Sequence, residues 1–169
     1  MGFFDLFIHA EKKEFINKIH QKLSTDFSHL DDNKLVILAC LSGLLARVAY
    51  VDFNVSDEEK EHIKKSLIEC MKLTDPEAEI VTKIAVDEMK ELYGLDSRIY
   101  CTPLNNILNN DAKYTILELL FAVAASDGNV DNEESNEISY IAKSLLLEKK
   151  YFLAAQAGVK DFLGILKKD

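Results

Sequence analysis

An internal repeat constrains this chain more than any other feature. Val48, Ala49, Asp52, Asn54, Val55, Glu58, Glu59 and Ile63 recur without a gap as Val123, Ala124, Asp127, Asn129, Val130, Glu133, Glu134 and Ile138, at an offset of 75 residues (Asp52 against Asp127). Leu44 and Leu45 pair in the same way with Leu119 and Leu120. Self-similarity at a fixed offset marks a duplicated structural unit whose copies bury their apolar faces together. Each copy reads as an apolar helix, a short turn and an amphipathic helix, and the two units cover about residues 34–72 and 111–146.

The first helix of each unit is unusually apolar. Leu35 to Ala46 is flanked only by Lys34 and Arg47, and Tyr114 to Ala125 contains the single charge Glu118. A dozen residues fall short of the roughly 20 needed to span a bilayer. Helices apolar on most of their circumference belong instead at the centre of a helical core, which places Leu35 to Val51 and Tyr114 to Ala125 there. The second helix opens at Ser56 or Asp131, each followed three residues later by Glu59 or Glu134. That is the capping-box spacing, in which the two side chains satisfy backbone N–H groups at the helix start. Apolar positions then continue at helical spacing as Ile63, Leu67, Cys70 and Met71, and as Ile138, Ile141, Leu145 and Leu146.

Only two prolines and six glycines interrupt 169 residues, of which 48% are hydrophobic and 29% charged. Long helices are therefore sterically permitted, and one packed domain over 1–169 is expected. Further helices are predicted over Ala10 to Leu23, over Pro76 to Tyr93 with Thr74 or Asp75 as cap and Gly94 as its close, near Leu104 to Leu108, and over Lys149 to about Leu166 with a break at Gly158. The expected fold is all-α, a compact bundle of about seven to eight helices with two pseudo-symmetric helix-turn-helix units.

Charge narrows the choice of partners. A net charge of -9, with basic residues only in isolated doublets, argues against a nucleic-acid partner and against a polybasic membrane anchor. Cys40, Cys70 and Cys101 are odd in number and widely spaced, as expected of a reducing, cytoplasmic compartment; Cys40 and Cys70 are predicted in the core and Cys101 nearer the surface. The apolar N-terminal segment 1–10 lacks the positive start of a secretory signal, and Leu6 and Phe7 stand where a myristoylation pattern wants Ser or Thr. Phe3, Phe4, Phe7 and Ile8 are expected to dock on the core, with a partner or a membrane surface as the other use of residues 3–8.

The repeated Asp-x-Asn-Val-x-x-x-Glu pattern resembles the Asp-Gly turn of the TerB-like (tellurite-resistance protein B) family. Ser126, Asp127, Gly128, Asn129, Val130, Glu134 and Ile138 match that turn, and Asp52, Asn54, Val55, Glu59 and Ile63 look like its first copy. The resemblance implies an all-helical domain with pseudo-twofold character, found in tellurite-resistance systems and joined to other domains, with no catalytic residues. It also implies candidate divalent-cation ligands at Asp52, Glu59, Asp127 and Glu134, for Ca2+ or Mg2+ held weakly. Those same four side chains serve equally as turn and capping acceptors, so both roles stand at this point. Phe53 departs from the pattern where the second copy has Gly128, and a different geometry is expected for the first turn because phenylalanine is strained at positive φ.

Other chemistries are excluded. An EF-hand needs glycine at loop position 6 and glutamate at position 12, where the chain has Asn132 and Ile138. The Glu59 and His62 spacing of di-iron bundles is not repeated in the second copy, and His9, His20 and His29 are too far apart to form a helical ligand pair. No phosphate loop or nucleophile elbow is present. The expectation is a non-enzymatic interaction or stress-response module with an unidentified protein partner and no cofactor, or alternatively a divalent-cation-responsive regulator.

Overall fold

The computed structural model describes residues 19–167. The apolar patch at residues 3–8, His9 and the start of the first predicted helix lie outside the described residues. Residues 19–26 are helical (α1), and Ile19, Leu23 and Phe27, four residues apart, are all buried. Then follow α2 (Asp32–Ala49), α3 (Asp57–Met71), α4 (Asp75–Leu92), α5 (Arg98–Ile107), α6 (Asn110–Ala124), a 3-10 turn (Ala125–Asp127), α7 (Asn132–Ser144) and α8 (Lys149–Lys167). The fold is an all-α bundle, with no strand among the described residues.

Helix α2 is the axis of the bundle. It starts where the Asp31 carboxylate accepts the Lys34 N–H at 2.8 Å, and it ends near Arg47, whose positive charge suits a helix C-terminus. Thirteen of its 18 residues are buried, from Leu35 through Ala49, so nearly its whole circumference needs neighbours. Those neighbours are α3, α4, α5, α6 and α7. α6 also lies in the core, against α2, α3, α7 and α8, but it buries one broad face (Ile116, Leu117, Leu120, Phe121, Val123, Ala124) and leaves Glu118 in solvent.

The repeat is larger than two helices. α4 packs on α2 and α3 as α8 packs on α6 and α7. Both second helices give way to a left-handed residue, Lys72 at φ 56° and Leu146 at φ 58°, each followed by a buried leucine, Leu73 or Leu147. Here the offset has slipped from 75 to 74 residues (Lys72 against Leu146). Each unit is thus a three-helix unit, α2–α3–α4 or α6–α7–α8, with α5 between them.

Several expected boundaries move. α5 is a full helix with Pro103 inside it rather than a short turn near Leu104 to Leu108. An interior proline costs about 3 kcal/mol. Burying Ile99, Tyr100, Cys101 and Leu104 on one face, at roughly 1.5–3 kcal/mol for each large apolar side chain, outweighs it. The same packing buries Cys101, which was expected nearer the surface, and burial pushes its thiol pKa up. Cys70, expected in the core, is exposed: the buried face of α3 is Glu59, Ile63, Ser66 and Leu67, and Cys70 lies off that face. Cys40 is buried as expected, its thiol pushed up to about 12. α8 continues through Gly158, because a lone helical glycine costs only about 1 kcal/mol. α4 begins at Asp75 with Thr74 and Glu77 as a reciprocal cap and Pro76 in its first turn.

Two contacts fix how α2 is surrounded. Gly43 lies so close to the Tyr100 ring that an added Cβ would meet Cε1 at 2.3 Å, so bare backbone is required where α5 crosses α2. Arg47, itself buried, is ion-paired with Glu137 of α7 and donates to the carbonyls of Tyr93 at 3.1 Å and Leu95 at 2.7 Å. Its guanidinium sits 5.0 Å from the centre of the Tyr93 ring. One side chain therefore joins α2, α7 and the α4–α5 connection. Leu45→Ala and Leu120→Ala, both at fully buried positions, are expected to cost about 2–5 kcal/mol in urea unfolding. Gly43→Ala is expected to cost about 1–3 kcal/mol by overpacking against Tyr100.

Candidate functional site

The repeated acidic residues occupy two equivalent turns. In the first, the Phe53 N–H donates to the Tyr50 carbonyl at 2.9 Å; in the second, the Gly128 N–H donates to the Ala125 carbonyl at 2.9 Å. Phe53 has φ 64° and Gly128 has φ 92°, so the two turns share one left-handed conformation. The different geometry expected for the first turn is not found. A left-handed phenylalanine costs roughly 1–2 kcal/mol, an amount within reach of the contacts that the Phe53 ring makes with Tyr50 and Tyr93.

Beyond the left-handed residue the hydrogen bonds also repeat. Asp52 Oδ1 accepts the Asn54 N–H at 3.0 Å and Asp127 Oδ1 accepts the Asn129 N–H at 3.0 Å. Glu59 Oε2 accepts the Ser56 N–H at 2.7 Å while Ser56 Oγ accepts the Glu59 N–H at 3.1 Å. Glu134 Oε2 accepts the Asp131 N–H at 3.0 Å while Asp131 Oδ1 accepts the Glu134 N–H at 2.8 Å. Both capping boxes predicted from spacing are formed.

The fold brings the turns near one another, since α3 packs against the Ala125–Asp127 turn. Asp52 and Asp127 are exposed, whereas Glu59 and Glu134 are 7% exposed each. Burial raises the pKa of Glu59, and the charges of Asp52 and Asp127 add to it. Burial lifts Glu134 to about 7, with Asp131, Asp127 and Glu59 contributing like-charge repulsion and the Asp131 N–H opposing the rise. Four carboxylates therefore share one electrostatic neighbourhood. Among the described residues no group of three or more His, Cys, Asp or Glu is placed to hold a metal ion. Each of the four has an oxygen committed to a backbone amide. Of the histidines weighed as ligands, His20 is half-buried on α1, His29 is exposed at 3.8 Å from Glu77, and His62 is half-buried on α3.

Sequence reasoning missed the surroundings of the first turn. Tyr50, Phe53 and Tyr93 meet edge to face, with ring centres 5.5–5.8 Å apart, and Phe53 is 69% exposed. The spacing of Tyr50 and Phe53 is visible in the sequence, but Tyr93 arrives from the end of α4 and no local signal announces it. Beside these rings, a groove of about 520 Å3 runs between α3 and α4.

An all-α domain built from two such capped units is a TerB-type architecture. Residues 38–157 match the family of tellurite resistance protein TerB, and the chain belongs to that family. Searches of curated proteins and of solved structures find no match. No described helix is long and apolar enough to cross a membrane.

The raised pKa of Glu134 fixes the sign of a pH effect. A folded state that holds the proton up to about 7, against an ordinary 4.5, is favoured at acidic pH, and this group's contribution is lost as pH rises through that window. Glu134→Gln keeps the acceptor for the Asp131 N–H and removes the charge. It is therefore expected to be neutral or slightly stabilising at pH 8 and to flatten the decline of stability between pH 5 and 8. Glu134→Ala is expected to cost about 1 kcal/mol at the same pH, both read by urea unfolding.

Proposed function

We propose that this TerB-family chain is a non-enzymatic interaction module that works by presenting a surface to a protein partner, in the setting of tellurite or another stress. The observation that supports this reading is the use made of the repeated acids: in both copies they accept backbone N–H groups of the turn and cap, which is structural work. No nucleophile is activated beside them, and burial keeps the thiols of Cys40 and Cys101 protonated. The reading places the protein in the cytoplasm, with no cofactor and no nucleic acid, in keeping with a net charge of -9.

A second reading, a divalent-cation-responsive regulator, is favoured by the like-charge crowding around Glu134, which a bound Ca2+ or Mg2+ would relieve. It would use the second carboxylate oxygen of Asp52, Glu59, Asp127 and Glu134, since a backbone amide holds the first of each. Calorimetric titration of the full chain with Ca2+ and Mg2+ separates the two. The interaction-module reading expects no saturable binding tighter than about 1 mM and no rise in melting temperature on adding cation. Micromolar binding abolished by Asp127→Asn would put the regulator in its place.

A further inference from the structure

The duplication supplies an internal control for Phe53. Gly128 occupies the same left-handed position in the second turn, with the same amide-to-carbonyl bond and the same capping box behind it. The turn therefore forms without a side chain at this position. The first copy nevertheless holds a phenylalanine in a conformation that disfavours it and leaves its ring 69% exposed. A residue costly both to backbone and to solvation, where its repeat mate shows that the fold does without it, indicates use at the surface.

The groove beside the ring indicates what the surface receives. Tyr50, Phe53, Val55 and Val86 are its apolar lining. Along the α3 wall Lys60 and Lys64 alternate with Asp57 and Glu61, and along the α4 wall Lys83 and Lys90 alternate with Glu79 and Asp87. Four positive and four negative residues leave the groove locally neutral in a chain of net charge -9. Lys60 is ion-paired with Asp57 and Lys64 with Glu79; a polyanion or a polycation would meet like charges on both walls, whereas a segment carrying both signs meets complements, foremost Glu61, Lys83, Asp87 and Lys90. Thr82 also lines the groove, but its hydroxyl is closed to solvent and offers an incoming chain nothing in this conformation. The wall from Asp57 to Lys64 is about 10 Å long at the helical rise, the span of about three extended residues. A quaternary-ammonium cage is ruled out, because rings already in contact enclose no space and Arg47 stands over Tyr93.

We propose that the Tyr50–Phe53–Tyr93 ring cluster and the adjoining α3–α4 groove form a docking site for a short extended segment of a partner protein, one that offers a single large apolar side chain flanked by charges of both signs. This rests on the interaction-module reading above and names the surface and the chemistry that reading leaves open.

The test is selection of a displayed random dodecapeptide library on the immobilised full chain, with synthetic peptides then titrated against wild type, Phe53→Gly and Lys83→Glu/Lys90→Glu. Selected peptides are expected to share an aromatic or large aliphatic residue with acidic and basic neighbours and to bind Phe53→Gly at least tenfold more weakly. Phe53→Gly is expected to keep its melting temperature within about 3 °C of wild type, because Gly128 shows that the turn tolerates the change. The double charge reversal is expected to weaken binding and to alter the selected charge pattern. Equal binding to wild type and Phe53→Gly, selection of purely acidic or purely basic peptides, or preferential binding to anionic phospholipid vesicles would each overturn the site. Peptides that bind tightly but protect the acidic turns in hydrogen exchange would overturn this site and leave the interaction-module reading standing; cation binding at micromolar concentration would remove that reading itself.

Discussion

A helix apolar around its circumference is stable in water only when it is surrounded, and α2 imposes that condition on everything else in this fold. Its own unit supplies α3 and α4, the duplicate supplies α6 and α7, and the linking helix α5 closes the remaining side. Small residues decide how near each neighbour comes: Gly43 admits the Tyr100 ring against bare backbone. The polar residues of α2 are accommodated locally. Ser42 donates to the Ala39 carbonyl within its own helix, and Arg47 finds two carbonyls and a carboxylate where the helix reaches the edge of the core. A buried guanidinium is tolerable only with such partners, since an unpaired one would cost several kcal/mol. Arg47 therefore also sets the register between α2, α7 and the end of α4.

The same logic explains the two acidic turns. A chain leaving an apolar helix must reverse quickly if the next helix is to pack back on the core. One left-handed residue and a reciprocal cap achieve the reversal within a few residues. The cap places a glutamate at the core margin, and duplication then places two of them in one electrostatic neighbourhood. Desolvation and repulsion raise both pKa values, and the amide hydrogen bonds offset part of that rise. The crowded carboxylates are in this sense a consequence of packing two capped units face to face.

What was legible in the sequence was what is determined locally. Ser56 with Glu59, and Asp131 with Glu134, announce their caps because donor and acceptor lie three residues apart. The apolar run of α2 announces its burial because almost every position agrees. The third helix of each unit was expected as a helix, but its place in the repeat was hidden. α4 and α8 share few residues, and the one-residue slip between Lys72 and Leu146 takes them out of the gapless alignment. Cys70 and Cys101 were misplaced because helical spacing specifies a stripe but not where neighbouring helices stop covering it. The conformation of Phe53 was misjudged for an energetic reason: a steric preference of one or two kcal/mol decides a turn only where nothing else competes, and here Tyr50 and Tyr93 do. The α3–α4 groove depends on Val86 of α4, and the ring cluster on Tyr93 at the C-cap of that helix, so no local pattern around the first turn could have shown them.

Duplication also separates what the fold requires from what it merely permits. Asp52 with Asp127 and Glu59 with Glu134, which stayed identical, have side chains that hold the turn and cap, so substitution there would have weakened both units alike. Ser56 and Asp131 diverged but keep the same capping duty, whereas other diverged positions have none. Phe53 opposite Gly128 is the sharpest of these, because the two residues adopt one backbone conformation and differ only in what they present to solvent. The second turn, with glycine at its tip, presents no ring there. The first adds a ring supported by two tyrosines at the mouth of a groove of mixed charge. If the family motif alone carried the function, the turns would be interchangeable; the asymmetry built on an identical frame places the distinguishing chemistry of this chain at the first turn.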